Sequence, residues 1–183
     1  MEPVTTDPKG ESRSLSANTS ALATERRPTE ITEAYVTGFV DGEGSFPVSF
    51  NRRPSLATGL EVRPSFSVSQ HERNLEILQK ILTFFRCGNI RFDRHDQTYK
   101  YEVRSLEDLW ESIIPHFKRT PLQTSKAKDF ERFVEVCSLM REDRHRSSEG
   151  MEQILSLAYS MNNLGARRLE LPDLLQIVRK MKV

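Results

Sequence analysis

Ala34-Tyr35-Val36-Thr37-Gly38-Phe39-Val40-Asp41-Gly42-Glu43-Gly44-Ser45-Phe46 is an apolar run that ends in two carboxylates, each followed by a glycine, and then becomes an alternating segment. Apolar residues interleaved with the small Thr37 and Gly38 suit a helix that packs closely against another helix. Thr29 or Thr32 can cap it, with Glu33 in its opening turn, and it should run to about Val40. Asp41-Gly42-Glu43-Gly44 should end it, because glycine tolerates the left-handed backbone common at helix C-termini. Two carboxylates there are electrostatically unfavourable, since the dipole at that end is already negative. A bound cation would relieve the cost. A hard divalent ion held by one or two carboxylates with several waters is the usual magnesium arrangement.

Working outward, Ser45 to Phe50 alternates, with Phe46, Val48 and Phe50 opposed to Ser45, Pro47 and Ser49. Leu60 to Gln70 alternates again, Leu60, Val62, Pro64, Phe66 and Val68 against Glu61, Arg63, Ser65 and Ser67. This is the pattern of half-buried strands. Leu75 to Phe85 has helical periodicity and is stopped by Cys87-Gly88-Asn89. Ile90 to Phe92 and Tyr99 to Arg104 form a second strand pair around Arg94-His95-Asp96-Gln97. Helices follow over Leu106 to Phe117, from Thr124 or Ser125 to about Met140, over Ser147 to Met161, and over Pro172 to Met181. The order predicts an α+β fold with an antiparallel sheet, one face on helices and the other polar.

Composition narrows the classes. The net charge over 183 residues is +1, so no global basicity announces nucleic acid. Gly44 to Arg104, however, holds ten Lys/Arg against six Asp/Glu, and Lys118 to Arg132 five against two. A basic bias on strands and at one helix start is compatible with phosphate contact. Cys87 and Cys137 lack metal-ligand spacing and read as reduced, small apolar residues of an intracellular protein. The four histidines show no zinc spacing and receive no catalytic role; His71 and His145, flanked by charges, should be exposed. No apolar run is long enough for a membrane. Residues 1–29, rich in Ser, Thr, Pro and Glu, read as a disordered leader to a domain over 30–183.

Val36 to Gly44 resembles the LAGLIDADG motif of homing endonucleases and related maturases, with Glu43 in the last acidic position. The layout from about Thr32 to about Asn163 resembles the single-motif, homodimeric members. The resemblance implies an α-β-β-α-β-β-α-α fold whose four-stranded antiparallel sheet lies in the DNA major groove, where side chains reach base edges. By alternation and resemblance together, the DNA-reading candidates are Ser49, Asn51, Arg53, Glu61, Arg63, Ser65, Ser67, Arg91, Asp93, Gln97 and Tyr99. Taken singly, each also fits an ordinary solvated strand position. One motif per chain implies two copies of the motif helix packed through Tyr35, Val36, Thr37, Gly38 and Phe39, and hence a long, nearly palindromic target. The alternative for Thr37 and Gly38 is a helix contact within the chain.

Phosphodiester hydrolysis needs an activated water and a stabilised leaving oxygen, which divalent ions held by carboxylates can provide. The resemblance makes Glu43 the direct ligand of a divalent cation, Mg2+, with Asp41 a second candidate ligand that in relatives mainly secures the helix end. It adds an amide or basic helper: Gln70, and one of Gln123, Lys126 or Lys118. The expected activity is magnesium-dependent, site-specific cleavage of both DNA strands by an intron-encoded homodimer. An RNA-binding maturase acting on intron RNA and a catalytically silent DNA-binding protein are the alternatives. An organelle, chloroplast or mitochondrion, and a bacterial cytoplasm fit equally.

Overall fold

A computed structural model describes residues 30–94, 96–161 and 169–180; the expected leader and His95 lie outside them. Helix α1 spans Glu33–Glu43, and the Thr32 hydroxyl caps it by accepting the Tyr35 N–H at 3.2 Å. It runs three residues past the expected end. Neither Gly42 nor Gly44 has a left-handed backbone. Gly44 is needed for a different reason: a Cβ there would lie 2.5 Å from Val40 Cγ1 and 2.8 Å from the Val40 carbonyl. Only a bare backbone lets the chain fold back from α1 into the first strand.

That strand forms two pieces, β1 (Gly44–Ser45) and β2 (Val48–Arg52), facing β3 (Leu60–Pro64) and β4 (Phe66–His71). The register is constant along both, from Gly44 opposite Val68 to Arg52 opposite Leu60, and Ser65 N–H donates to Pro47 O at 2.9 Å across the break. They therefore form one bent hairpin, interrupted where Pro47 has no N–H to give. β4 pairs with β6 (Thr98–Val103), and β6 with β5 (Asn89–Asp93), all antiparallel. The result is four chain segments side by side, as the alternation predicts.

Helices cover one face. Helix α2 (Leu75–Phe85) packs on β4 and β6. The next helix is a composite of α3 (Leu106–Asp108), a π-helical turn (Leu109–Ile113) and α4 (Ile114–Arg119). Its irregularity falls just before Pro115, which cannot complete the regular hydrogen-bond ladder. Then come α5 (Lys126–Arg141), α6 (Ser148–Ser160) and α7 (Leu171–Lys180). Phe46 lies within 5.1–5.5 Å, ring to ring, of Phe66, Phe117, Phe130 and Phe133, so one residue of the hairpin joins the sheet to two helices. Losing a large aromatic from such a core costs roughly 3–5 kcal/mol. Cys87 and Cys137 are free thiols, and burial pushes the pKa of Cys137 up to about 12. No described helix is long and apolar enough to cross a membrane.

Candidate active site and nucleic-acid interface

Each residue of an α-helix turns the chain by about 100°, so positions two apart look in nearly opposite directions. At the end of α1 this separates the two acids. Asp41 faces the loop between α4 and α5. It accepts the Gln123 N–H at 2.9 Å, the Thr124 N–H at 3.1 Å and the Thr124 hydroxyl at 2.7 Å. Partial burial pushes its pKa up, but the Thr124 hydroxyl, the two backbone donors and the Lys126 charge outweigh that, and the net shift is downward from 3.8. Both carboxylate oxygens are engaged, so the metal-ligand role expected for Asp41 does not fit. Its geometry is that of a clamp holding a loop 82 residues away in sequence.

Lys126, the first residue of α5, lies beside this clamp. Its Nζ donates to Val40 O at 2.8 Å, placing a cation on the carbonyl end of α1, where the dipole favours one. Burial lowers its pKa, against the opposing pull of Asp41, Glu43 and Asp129. The other two basic or amide candidates are occupied elsewhere. Gln123 turns its side chain onto Pro121 O at 2.9 Å, and Lys118 lies 5.7 Å above the Trp110 ring.

Glu43 points the other way, toward the sheet, and is exposed. Gln70, at the end of β4, donates Nε2–H to its Oε2 at 3.2 Å. Asn74 donates Nδ2–H to Gln70 Oε1 at 2.9 Å, so the Gln70 amide is fixed with its donor toward the carboxylate. Asn74 was not among the residues the sequence singled out; its spacing of four from Gln70, across the turn that starts α2, is the signal that could have found it. Among the described residues no cluster of three or more His, Cys, Asp or Glu could hold a metal. One chain offers one outward carboxylate at this helix end. That suits an ion held by one or two carboxylates and completed by waters and substrate phosphates.

Behind α1, Thr37 is buried and its hydroxyl lies 3.0 Å from His116 Nε2 and from Thr120 Oγ1. Val36 is fully buried as well. These two therefore face their own chain and leave the expected interface set: the intrachain alternative holds for Thr37. The outward stripe is Tyr35, Gly38, Phe39 and Gly42, at helical spacing. Tyr35 is 50% exposed and its ring stacks on Phe39 at 6.1 Å. A Cβ built at Gly38 or Gly42 would meet nothing within 4 Å. Gly42, not Val36 or Thr37, shares the exposed side of α1 with Tyr35 and Gly38. His145, expected to be exposed, is half-buried beside Met140.

The open face of the sheet carries Ser49, Asn51, Glu61, Arg63, Ser65, Ser67, Arg91 and Asp93 by register, as expected, with Arg53 at the tip of β2. Tyr99 does not belong to it. It pairs with Gln70 and Phe92 on the helix-facing side, its ring 5.0 Å from Phe92. The outward residues of β6 are Thr98, Lys100 and Glu102, with Arg104 beyond, all missed. Ser65 and Ser67 are on the open face but largely buried by their neighbours. The Ser49 hydroxyl donates to Arg63 O at 3.3 Å, and Gln97 folds onto Arg94 O at 2.9 Å. The arginines project in two clusters. Glu61 lies 3.0 Å from Arg63 and 3.8 Å from Arg53; Glu102 lies 2.9 Å from Arg104 and 3.4 Å from Arg91.

A polar, arginine-bearing antiparallel sheet backed by helices, with a lone outward carboxylate where the leading helix meets it, defines a class. The chain belongs to the LAGLIDADG endonuclease family, whose model matches residues 36–137. It is 33% identical over 130 residues to "Probable intron-encoded endonuclease 2" of Neurospora crassa, a match covering 70% of this chain and 29% of that protein. It spans about a quarter to a third of the length of the first curated relatives it matches. The crystal structure of the homing endonuclease I-TnaI superposes with a TM-score of 0.73 at 32% identity, over 83% of this chain and 99% of that one. I-SmaMI bound to an uncleaved DNA target in the presence of calcium ions superposes with a TM-score of 0.72 at 34% identity, over 76% of this chain and 47% of the other.

Proposed function

We propose that this chain is an intron-encoded, site-specific DNA endonuclease, magnesium-dependent, that acts as a homodimer on a long, nearly palindromic duplex and hydrolyses both strands. The observation that carries the reading is the contrast at the end of α1. One acid is fully engaged within the fold, while Glu43 stands outward with a single oriented hydrogen bond. An exposed carboxylate at the negative end of a helix dipole is unfavourable by roughly 0.3–1 kcal/mol; Lys126 on Val40 O offsets part of that, and a divalent cation would offset the rest.

Glu43 would hold the divalent ion, whose chemistry would be to activate water and stabilise the leaving oxygen. Gln70, held by Asn74, keeps the Glu43 carboxylate at one orientation. Lys126 offsets negative charge at the helix end and is the basic helper of the three candidates. The open sheet face would follow the major groove, where an arginine can take a guanine edge in two-pronged fashion. Two α1 helices would meet through Tyr35, Gly38, Phe39 and Gly42, the glycines allowing backbones to approach. The match to 99% of the I-TnaI chain supports a unit that stands as a chain by itself, whereas it corresponds to about half of I-SmaMI. Intron-encoded relatives support the intron-borne origin.

The test is cleavage of a randomised palindromic DNA library with magnesium and with calcium, using wild type and Glu43→Gln. Discrete products from wild type with magnesium alone, and selective binding without cleavage by Glu43→Gln, are expected. Equal cutting by the variant would remove Glu43 from its role. Selection of DNA with no cutting would support the silent DNA-binding alternative.

A further inference from the structure

Glu102 is a carboxylate in an unexpected place. It sits in β6, an inner strand of the sheet, on the face that would meet a polyanion, and it is 7% exposed. A nearly buried carboxylate is costly unless charges pair with it. Here two do: Arg104 Nη2 at 2.9 Å and Arg91 Nε at 3.4 Å converge on the same oxygen, Oε2. The guanidinium groups come from different segments, Arg91 from β5 and Arg104 from the end of β6, and both side chains remain about half exposed. Glu102 also lines a polar notch of about 170 Å³ where β3 parts from β6, with Arg63, Arg104, Asn51 and Ser65 around it. Glu61 is less buried and ties Arg63 and Arg53 in the neighbouring hairpin.

Three charged groups here carry a net charge of +1. If the sheet only needed to grip phosphates, the carboxylate would weaken it. What the carboxylate adds is fixed geometry. Each arginine is tethered by its ion pair to Oε2 while its side chain stays about half exposed, so less side-chain freedom is lost when its remaining donors meet a base edge. Without it, two long cations are free to follow any phosphate, a contact that carries no sequence information. We propose that Glu102 is a specificity-determining positioning residue: it holds Arg91 and Arg104 as base-reading groups and withholds them from the DNA backbone. This rests on the DNA-binding reading above.

The experiment measures binding of the full chain, wild type and Glu102→Gln, in calcium, to the selected duplex and to a scrambled duplex of equal length over a range of salt. The variant should bind the selected duplex more weakly and the scrambled one more tightly, lowering their ratio by about tenfold or more. Its salt dependence on the scrambled duplex should steepen by about 1–2 in log–log slope, because one or two more phosphates are neutralised. A merely structural role would weaken both duplexes together and leave the slope alone, which would overturn the proposal. So would an unchanged ratio and slope. If Glu102→Gln does not fold, Arg91→Ala and Arg104→Ala decide: each should relax preference at one position per half-site, and unaltered preferences in both would overturn the proposal. A wild type that prefers no duplex at all would instead reject the DNA-binding reading itself.

Discussion

Asp41 and Glu43 share a helix end and a chemistry but not a task. Asp41 looks toward the α4–α5 loop and accepts three hydrogen bonds from it; Glu43 looks toward the sheet and accepts one, from Gln70. The difference lies in direction around the helix axis. Two residues along, a side chain meets a different part of the fold, so one acid closes a long-range clamp while its neighbour is left for solvent and ligand. The motif thus combines an acid bound up in the fold with one left open, and in the proposed reading it is the second that holds the metal.

The contrast can be broken most directly by truncation. Asp41→Ala should cost roughly 2 kcal/mol of stability, the scale for losing hydrogen bonds to a charged group, read by denaturant unfolding. Glu43→Ala should stay within about 0.5 kcal/mol of wild type, as surface changes usually do. Equal losses would erase the distinction. A second measurement uses protons. The Asp41 pKa is lowered in the fold, so its contribution is fully present above its unfolded value, near 3.8, and is lost as pH falls through the lower folded value. Stability of wild type should fall across that acid window more steeply than that of Asp41→Asn; parallel curves would mean the clamp is not what the shift reports. The smallest effect sharpens the Glu43 side. Asn74→Asp replaces a donor with an acceptor, so Gln70 should turn its amide and present its carbonyl to Glu43. Cleavage should slow by about tenfold, the weight of roughly 1.4 kcal/mol, with selected-site affinity unchanged. An unaffected rate would show that Gln70 does not depend on Asn74.

Much of the fold was legible because its elements carry their own periodicity. Phe46, Val48 and Phe50 against Ser45, Pro47 and Ser49 specify a half-buried strand without tertiary information, and the leading helix was found from one short stretch. The site was legible only in part. Continuing odd numbers from Arg91 and Asp93 through the turn puts Tyr99 on the open face. The β5–β6 register instead pairs odd with even, Asp93 with Thr98 and Arg91 with Lys100. The apolar Tyr101 and Val103 already pointed to that parity and hence to Lys100 and Glu102. The role of Asp41 was harder to see. Its partners, Gln123 and Thr124, are more than eighty residues away, and no local pattern links a helix-end acid to a distant loop. Val36 and Thr37 face their own chain: a small residue such as Thr37 suits a close contact on either side of a helix, and an apolar one such as Val36 suits the chain's own core as well as an interface.

The outward glycines of α1 have a further effect. Each glycine inside a helix costs about 0.8–1.0 kcal/mol relative to alanine, and Gly38 and Gly42 carry that cost on a stripe where a side chain would meet nothing in its own chain. In the two-fold arrangement proposed above, the compensating contacts come from a second molecule and obey mass action. The melting temperature should then rise with protein concentration. The Glu43 end of the helix stays pinned within its own chain by Asp41 and Lys126, so dilution would separate two intact sites rather than unravel either one.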